Sequence, residues 1–257
     1  MKARLTVLGS GTSMGVPTIG CDCTVCHSSD PRDRRTRPSV LVEYADKTVL
    51  IDTTPDFREQ AIREQIHKLD AVLYTHAHAD HILGIDDLRP LSFYHKPEKL
   101  PLYACADAAD FIRNMFRYIF DADYKFGGLA QVEMKTISGP VELFGARFEP
   151  VKVMHGDAEI IGFRFGSAAY LTDFSEIPEE SFAQLNGLDI LFLDALRHRP
   201  HPTHSTVDNS LRIVERVKPK RAFFTHICHD LPHAATNAAL PPHVRLSHDG
   251  MKLEFEI

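Results

Sequence analysis

Four potential metal ligands fall within six consecutive residues of this chain: His76, His78, Asp80 and His81. The apolar run just before them, Ala71–Leu73, predicts a buried strand. Ligands on one face of a helix would lie about three or four residues apart, whereas these are spaced by two, two and one. A loop between a strand and a helix can wrap such residues around a metal, since imidazole and carboxylate are common metal ligands. The segment therefore predicts a metalloenzyme rather than a solvated pair of histidines.

The length of 257 residues and the hydrophobic content of 44% suffice for one large α/β unit, and a single hydrolase domain is predicted over 1–257. No stretch approaches the ~20 apolar residues that a membrane span needs. The sequence after Met1 runs into a short strand pattern without a secretory signal. We therefore expect a cytoplasmic protein without a membrane partner.

The formal net charge of -6 makes the surface as a whole a poor match for long nucleic acids. No extended nucleic acid is therefore expected as a partner. The one basic cluster is local and is predicted to be a solvated loop; it consists of Arg32, Arg34, Arg35 and Arg37.

Three of the five cysteines are crowded together, at Cys21, Cys23 and Cys26. Thiols stay reduced in the cytosol, so such crowding indicates metal binding rather than a disulfide framework.

Short apolar runs with strand character recur along the chain and are separated by a few helical patterns. Strands are predicted at Leu5–Leu8, Val40–Tyr44, Thr48–Ile51, Ala71–Tyr74, Leu102–Ala104, Ala146–Val153, Ile160–Phe165, Ala169–Leu171, Ile190–Leu193, Ala222–Phe224 and Lys252–Glu256. Helices are predicted at Asp56–Ile66, Asp107–Phe120, Pro178–Asn186 and Val207–Val217. Many strands with few helices between them indicate two mixed sheets packed face to face with helices outside.

Further potential ligands follow three later strands: His155, Asp173 and His226. Residues delivered at the tips of several strands can build one site at one edge of a sheet. We therefore expect them to join the histidine motif. Thr172, Asp194 and Thr225 are interpreted as support for the ligands beside them.

Together these motifs resemble the metallo-β-lactamase superfamily. Its H-x-H-x-D-H signature matches His76–His81, and the single ligands His155, Asp173 and His226 follow in its order. The resemblance implies an α/β fold, a four-layer αββα sandwich, with a two-metal site. It implies that one metal is held by His76, His78 and His155, the other by Asp80, His81 and His226, with Asp173 bridging them. Asp52 matches an acid that orients a ligand in the superfamily; the alternative is an ordinary aspartate at a helix entry.

The amino-terminal segment Gly9–Pro17, followed by the three cysteines, resembles the PhnP-type cyclic phosphodiesterase subgroup of that superfamily. The resemblance implies a structural zinc in a loop at about 20–38, held by Cys21, Cys23, Cys26 and a histidine that corresponds to His229. Three thiolates and one imidazole form a closed tetrahedral set without a position for water. His27 and Cys228 are alternative fourth ligands. Thr53 and Thr54 depart from the superfamily pattern, in which many members have glycine.

The resemblance also implies the chemistry. Two divalent cations, Mn or Zn, would share a bridging hydroxide that attacks a phosphodiester. His204 matches a histidine of the subgroup that contacts phosphate and acts as general acid, and Asp80 and Asp52 complete the expected catalytic residues. His198 and His201, in the same loop, are predicted to be solvated. The expected partners are a small, cyclic phosphodiester or nucleotide substrate and a second copy in a homodimer.

Other functions stay open at the level of the sequence. A tRNA 3′-end ribonuclease and a carbon-ester hydrolase (lactonase or thioesterase) share the expected fold, and a regulatory metal-binding module is a non-catalytic alternative. The glycine-rich segment Gly9–Gly15 fits a tight turn and a substrate contact equally well. Phe93, Tyr94 and Phe126 could stack on a base, but aromatic residues in such positions are more often core residues.

Overall fold

A computed structural model describes residues 1–95, 97–121, 123 and 127–257. Within these ranges the strands form two seven-stranded sheets. The first sheet has the order β14-β1-β2-β3-β4-β5-β6, with strands β1 Lys2–Gly9, β2 Ser39–Tyr44, β3 Lys47–Ile51, β4 Ala71–Leu73, β5 Leu100–Ala104, β6 Val132–Thr136 and β14 Lys252–Glu256. The second has the order β13-β12-β11-β10-β9-β8-β7, with β7 Val141–Leu143, β8 Ala146–His155, β9 Ala158–Phe165, β10 Ala168–Leu171, β11 Ile190–Asp194, β12 Arg221–Thr225 and β13 Val244–Leu246.

The helices lie on the outer faces of the two sheets. They are α1 Phe57–Arg63, α2 Ala79–Ile82, α3 Arg89–Ser92, α4 Ala106–Met115, α5 Arg117–Phe120, α6 Val207–Val217 and α7 His233–Ala239. Short 3₁₀ helices occupy Pro31–Asp33, Ile85–Leu88, Phe93–His95 and Glu179–Leu185. No helix in the described ranges is long and apolar enough to cross a membrane.

The alternation of side chains along the strands produces the layers. In β3, Val49 and Ile51 belong to the core between the two sheets, whereas Leu50 belongs to the core beneath the helices of the first sheet. In β11, Phe192 packs in the central core and Leu193 beneath α6. Because successive residues of a strand point to opposite faces, strands that are apolar on both faces must be covered on both. The four-layer αββα sandwich predicted from the sequence is confirmed.

Parallel pairing brings several strand ends to one edge. β3 pairs in parallel with β4, and β11 pairs in parallel with both β10 and β12. Their carboxyl ends therefore lie side by side, where the chain continues into the candidate ligands.

Most predicted elements are confirmed, with shifts at their ends. The helix Val207–Val217 has the predicted bounds, because Thr206 caps its first turn by accepting from the Asn209 amide and Lys218 ends it in a left-handed conformation. The predicted helix Asp107–Phe120 is divided into α4 and α5 at Phe116. Pro178–Asn186 forms a 3₁₀ helix, Glu179–Leu185.

Candidate metal centres and active site

Three candidate site residues adopt left-handed backbone conformations where strands end. Asp52 follows β3 with a φ of 67°, and Asp173 and His226 follow β10 and β12 with φ of 56° each. Residues other than glycine rarely adopt this conformation, and such strain concentrates at functional sites. The sheet edge is therefore built by sharp bends that carry functional side chains.

One group of ligand atoms comes from His76, His78 and His155, which lie within 4.8 Å of one another. The ring centroids of His76 and His78 are 4.7 Å apart, and those of His78 and His155 are 4.9 Å apart. The Nδ1 atom of His155 lies 2.9 Å from the carbonyl oxygen of Thr203. Since a carbonyl only accepts, Nδ1 carries the proton and Nε2 keeps its lone pair for a cation.

A second group comes from four buried residues: Asp80, His81, Asp173 and His226. His81 Nε2 lies 3.3 Å from Asp80 Oδ2 and 3.3 Å from Asp173 Oδ1. Asp173 Oδ2 lies 3.1 Å from His226 Nε2 and 3.9 Å from His76 Nε2, so its carboxylate reaches both groups. The structure thus brings together all seven residues that the superfamily resemblance selects.

These atoms fit a divalent cation. Among the described residues, buried atoms without a hydrogen-bond partner include His76 Nε2, Asp80 Oδ2, His81 Nε2 and His226 Nε2. Leaving a buried polar group unpaired costs about 1–3 kcal/mol, so several converging unpaired atoms indicate a missing positive partner. Imidazole nitrogen with carboxylate oxygen suits Zn, Mn and Fe. The two groups can therefore hold divalent metals.

The electrostatics of the site agree with this fit. Burial by itself lowers the pKa of His226, yet Asp173 and Asp80 raise it to about 9. His81 is likewise buried, and the carboxylates of Asp173 and Asp80 raise its pKa well above the usual value. The carboxylates thus draw protons onto the imidazoles, and a cation would take the place of those protons.

Asp52 is completely buried and orients a candidate ligand. Its Oδ2 lies 2.7 Å from His81 Nδ1, and its two oxygens accept hydrogen bonds from the amide and hydroxyl of Thr75 at 2.9 and 2.8 Å. This arrangement places the proton of His81 on Nδ1 and leaves Nε2 for a metal. Asp56, not Asp52, stands at the entry of α1, so the helix-entry alternative does not describe Asp52.

His204 lies beside both groups. Its ring stacks on His226 with centroids 4.5 Å apart and meets His155 edge to face at 4.8 Å. Its Nδ1 is 2.7 Å from Oδ2 of the fully buried Asp194. Burial and the nearby His226 lower the pKa of His204 to about 4. The sequence predicts Asp194 only as support for a neighbouring ligand and does not predict its contact with His204. The available signal was its position at the end of β11, since the other site residues also follow strand ends.

The cysteine loop forms a separate cluster. The Sγ atoms of Cys21, Cys23 and Cys26 lie 3.1, 3.5 and 3.5 Å from His229 Nδ1. Neither alternative fourth ligand joins them: Cys228 Sγ accepts from the Asp230 amide, and His27 lies 3.3 Å from Asp22 Oδ1. The four atoms form a set suited to a structural zinc. His229 follows His226 by three residues, so one loop connects both candidate centres.

The prediction of a solvated basic loop is wrong for Arg35. This side chain is only 1% exposed, and its guanidinium donates to the carbonyls of Cys228 and Leu231 at 2.8 and 2.6 Å and to Asp33 Oδ1 at 2.9 Å. The carbonyls lie almost two hundred residues later in the chain, at separations of 193 and 196, so local sequence gave no sign of them. Through these hydrogen bonds Arg35 connects the cysteine loop to the segment that carries His229.

The glycine-rich segment passes very close to the backbone of the cysteine loop. A Cβ atom at Gly9 would lie 1.9 Å from the carbonyl oxygen of Arg37, and one at Gly11 would lie 2.7 Å from that of Arg35. The close approach explains both glycines without a substrate contact.

The backbone of Thr53 and Thr54 packs against the helix α2 and the residue Gly84 that follows it. The Thr53 amide donates to the His81 carbonyl at 2.8 Å, and a Cβ at Gly84 would lie 2.1 Å from the Thr54 carbonyl oxygen. The backbone therefore packs tightly here despite the two threonines.

Of the three aromatic residues, Phe93 and Tyr94 are 41% and 77% exposed, which contradicts a core position, and Phe126 lies outside the described residues.

Comparison with known proteins now gives the family. The family model of the beta-lactamase superfamily domain matches residues 47–227, which is more than half of the chain. The chain belongs to the metallo-β-lactamase superfamily. Among solved structures it is similar to a diphosphatase from the PhnP family, with 63% identity, a TM-score of 0.94, and coverage of 99% of this chain and 98% of that chain. The chain is thus a superfamily hydrolase close to the PhnP family, as the sequence predicted.

Two curated relatives match this chain over about half of their own length. An octanoyltransferase of Porphyromonas gingivalis is 37% identical over 254 residues, covering 97% of this chain and 51% of that protein. A ribonuclease Z of Bradyrhizobium diazoefficiens is 28% identical over 150 residues, covering 55% of this chain and 48% of that protein. The chain spans about half the length of these curated relatives.

Proposed function

We propose that this hydrolase uses two divalent cations to cleave a diphosphate linkage in a small molecule. The observation that carries the proposal is the convergence of seven ligand residues on one sheet edge, with Asp173 reaching both groups and His204 beside them. The PhnP-family relative of 63% identity is a diphosphatase, which supports the substrate class.

In this proposal each residue group holds one ion. His76, His78 and His155 would hold the first and Asp80, His81 and His226 the second, and the Asp173 carboxylate lies within reach of both groups. When bound, such a pair of ions supplies a nucleophile from water near neutral pH and neutralises charge on the phosphoryl oxygens. A structural zinc in the cysteine cluster brings the expected total to three ions.

The proposed role of His204 is proton transfer to the departing oxygen. The Asp194 carboxylate keeps one proton of His204 on Nδ1, and a ring nitrogen of His204 lies within 4.8 Å of ligand atoms of His155 and Asp173. The negative charge of a bound phosphoryl group favours the protonated imidazole and offsets the lowering of its pKa. His204 then donates from Nε2, and Asp194 stabilises the cation while it exists.

A small cyclic phosphodiester is the second candidate substrate. It is favoured by the resemblance of the cysteine segment to the PhnP-type cyclic phosphodiesterases, since the structure brings His229 to the three cysteines as that resemblance implies. The same ligands and His204 would serve this reaction, in which an alkoxide rather than a phosphate departs. The two candidates therefore differ in what contacts the leaving group.

The test is a substrate panel on protein loaded with Zn²⁺ and, separately, with Mn²⁺. It comprises ADP-ribose, 2′,3′-cyclic nucleotides, a cyclic 1,2-phosphate of ribose, bis(p-nitrophenyl) phosphate and p-nitrophenyl octanoate. We expect the highest kcat/KM with ADP-ribose. A preference for the cyclic compounds would select the second candidate, and hydrolysis of the carboxylic ester alone, or no turnover above a chelated control, would contradict the proposal.

The likeness to a ribonuclease Z makes tRNA processing an alternative function that can be tested separately. The net charge of -6 works against binding a long polyanion. We expect no salt-sensitive gel shift with an unprocessed tRNA under conditions in which ADP-ribose is hydrolysed.

A further inference from the structure

The loop 197–204 contains two histidines, His198 and His201, for which the sequence predicts the same solvated position. His198 is exposed, whereas His201 is half-buried with its ring centroid 5.0 Å from that of His204. The loop is held in place at both sides, because Arg199 pairs with Asp230 at 3.0 Å and the Thr203 carbonyl accepts from His155 Nδ1. His201 is therefore a fixed neighbour of the proposed proton donor.

The protonation of the His201 ring follows from its contacts. The backbone amide of Thr203 lies 3.3 Å from His201 Nδ1, and an amide can only donate. Nδ1 is therefore the acceptor, and the neutral ring carries its proton on Nε2. Every hydrogen bond that the described residues make to this ring goes to Nδ1, so the Nε2–H is available to a ligand.

The position of His201 relative to the metal groups decides what this donor can meet. The His204 ring centroid lies 4.8 and 4.5 Å from those of His155 and His226 and 5.0 Å from that of His201, which belongs to neither group of candidate metal ligands. A phosphoryl group held at the ligands would lie beside His204, and His201, as the neighbour of His204, would be placed to meet the next group of the substrate. In a diphosphate that next group is a second anionic phosphoryl.

We propose that His201 binds this second phosphoryl group through Nε2–H and so selects diphosphates over substrates with one phosphoryl group. The inference rests on the proposed function and deepens it. His201 is a specificity residue in this view: it holds the part of the substrate that departs and takes no proton from the reacting atoms. Its loss should weaken diphosphate binding and leave the hydrolysis of single phosphodiesters intact.

The kinetic test compares His201→Ala with His198→Ala, a histidine of the same loop that is solvent-exposed. With ADP-ribose, His201→Ala should raise KM about tenfold, as expected for one hydrogen bond to a charged group, with kcat nearly unchanged. With bis(p-nitrophenyl) phosphate both variants should resemble the wild type. His201→Gln, whose amide can donate from a similar position, should recover part of the loss. An equal fall on both substrates would show that His201 acts through His204 and would overturn the proposal.

A binding measurement separates this inference from the proposed reaction. Calorimetry on the zinc-loaded protein should show that His201→Ala weakens methylenediphosphonate about tenfold and methylphosphonate hardly at all. If wild type fails to hydrolyse ADP-ribose but shows this difference, the proposed reaction is wrong and the diphosphate contact stands. If His201→Ala binds both phosphonates as wild type does, the contact is refuted, whatever the reaction.

Discussion

Replacing Asp194 by asparagine tests the proposed proton donor most sharply. The Asp194 carboxylate is fully buried and lies 2.7 Å from His204 Nδ1. Asparagine keeps the size of the side chain but removes the charge that stabilises a protonated imidazole. A hydrogen bond to a charged group contributes about 1.5–3 kcal/mol, which corresponds to a fall in kcat of about 10- to 150-fold if the bond is needed only when His204 is protonated.

The assay is a double-mutant cycle with His204→Ala, which by itself should lower kcat by ~10²–10⁴ with unchanged metal content. In that background Asp194→Asn should change kcat less than about twofold, because the group that it serves is gone. Asp189→Asn is the matched control, since Asp189 lies before the other end of β11 and pairs with Arg221 at the surface. A further tenfold loss in the His204→Ala background would refute the reasoning and show that Asp194 acts through another residue.

The substitution Asp194→Asn should lower kcat but should not lower the stability of the metal-free protein. Burial raises the pKa of Asp194 well above its usual range, so ionising it in the folded, metal-free protein is unfavourable. When the pKa of a carboxyl is higher in the folded than in the unfolded state, folding stability is lost as the pH rises above the pKa of the unfolded state, which is about 4 for aspartate. Metal-free Asp194→Asn should therefore have a Tm at neutral pH that is equal to or higher than that of wild type. A clear fall in Tm would show that the charge stabilises the fold.

Three further predictions concern the metal centres. Asp52→Asn should weaken metal binding at the active site about 10- to 100-fold, because His81 loses the carboxylate that orients it, and a competition titration with a chelator would measure this; unchanged affinity would leave Asp52 without an orienting role. Cys23→Ser should lower Tm more than it lowers kcat at a temperature where the variant is folded, since a structural zinc contributes to folding; normal Tm with lost turnover would reverse that assignment. Elemental analysis should find about three ions per chain, and a single ion would contradict the two-metal proposal.

The sequence predicted the residues at the strand ends well, because their position depends on local pattern. A short apolar run followed by His or Asp marks the end of a buried strand, and parallel pairing then brings such ends together, as it does for Asp173 and His226. Short elements were harder to predict. Val244–Leu246 has only three residues, too few to show an alternation, and it is a strand because β12 offers it a parallel partner.

Contacts between distant segments escaped prediction for a physical reason. Nothing within a few residues of Arg35 shows that two backbone carbonyls near the other end of the chain will surround its guanidinium. His201 and His198 look equivalent in the sequence, and only the packing of the loop against His204 distinguishes them. Side chains whose role is set by tertiary contacts thus require the structure.

The left-handed conformations of Asp52, Asp173 and His226 have a consequence for related sequences. Each such bend in a residue other than glycine costs about 1–3 kcal/mol, and cation binding offsets this cost only while the side chains still serve it. In a descendant that had ceased to bind the cations, glycine at these bends would be favoured by stability alone. Asp or His retained at all three bends would thus distinguish related proteins that still bind the cations from those that do not, even before any metal is measured.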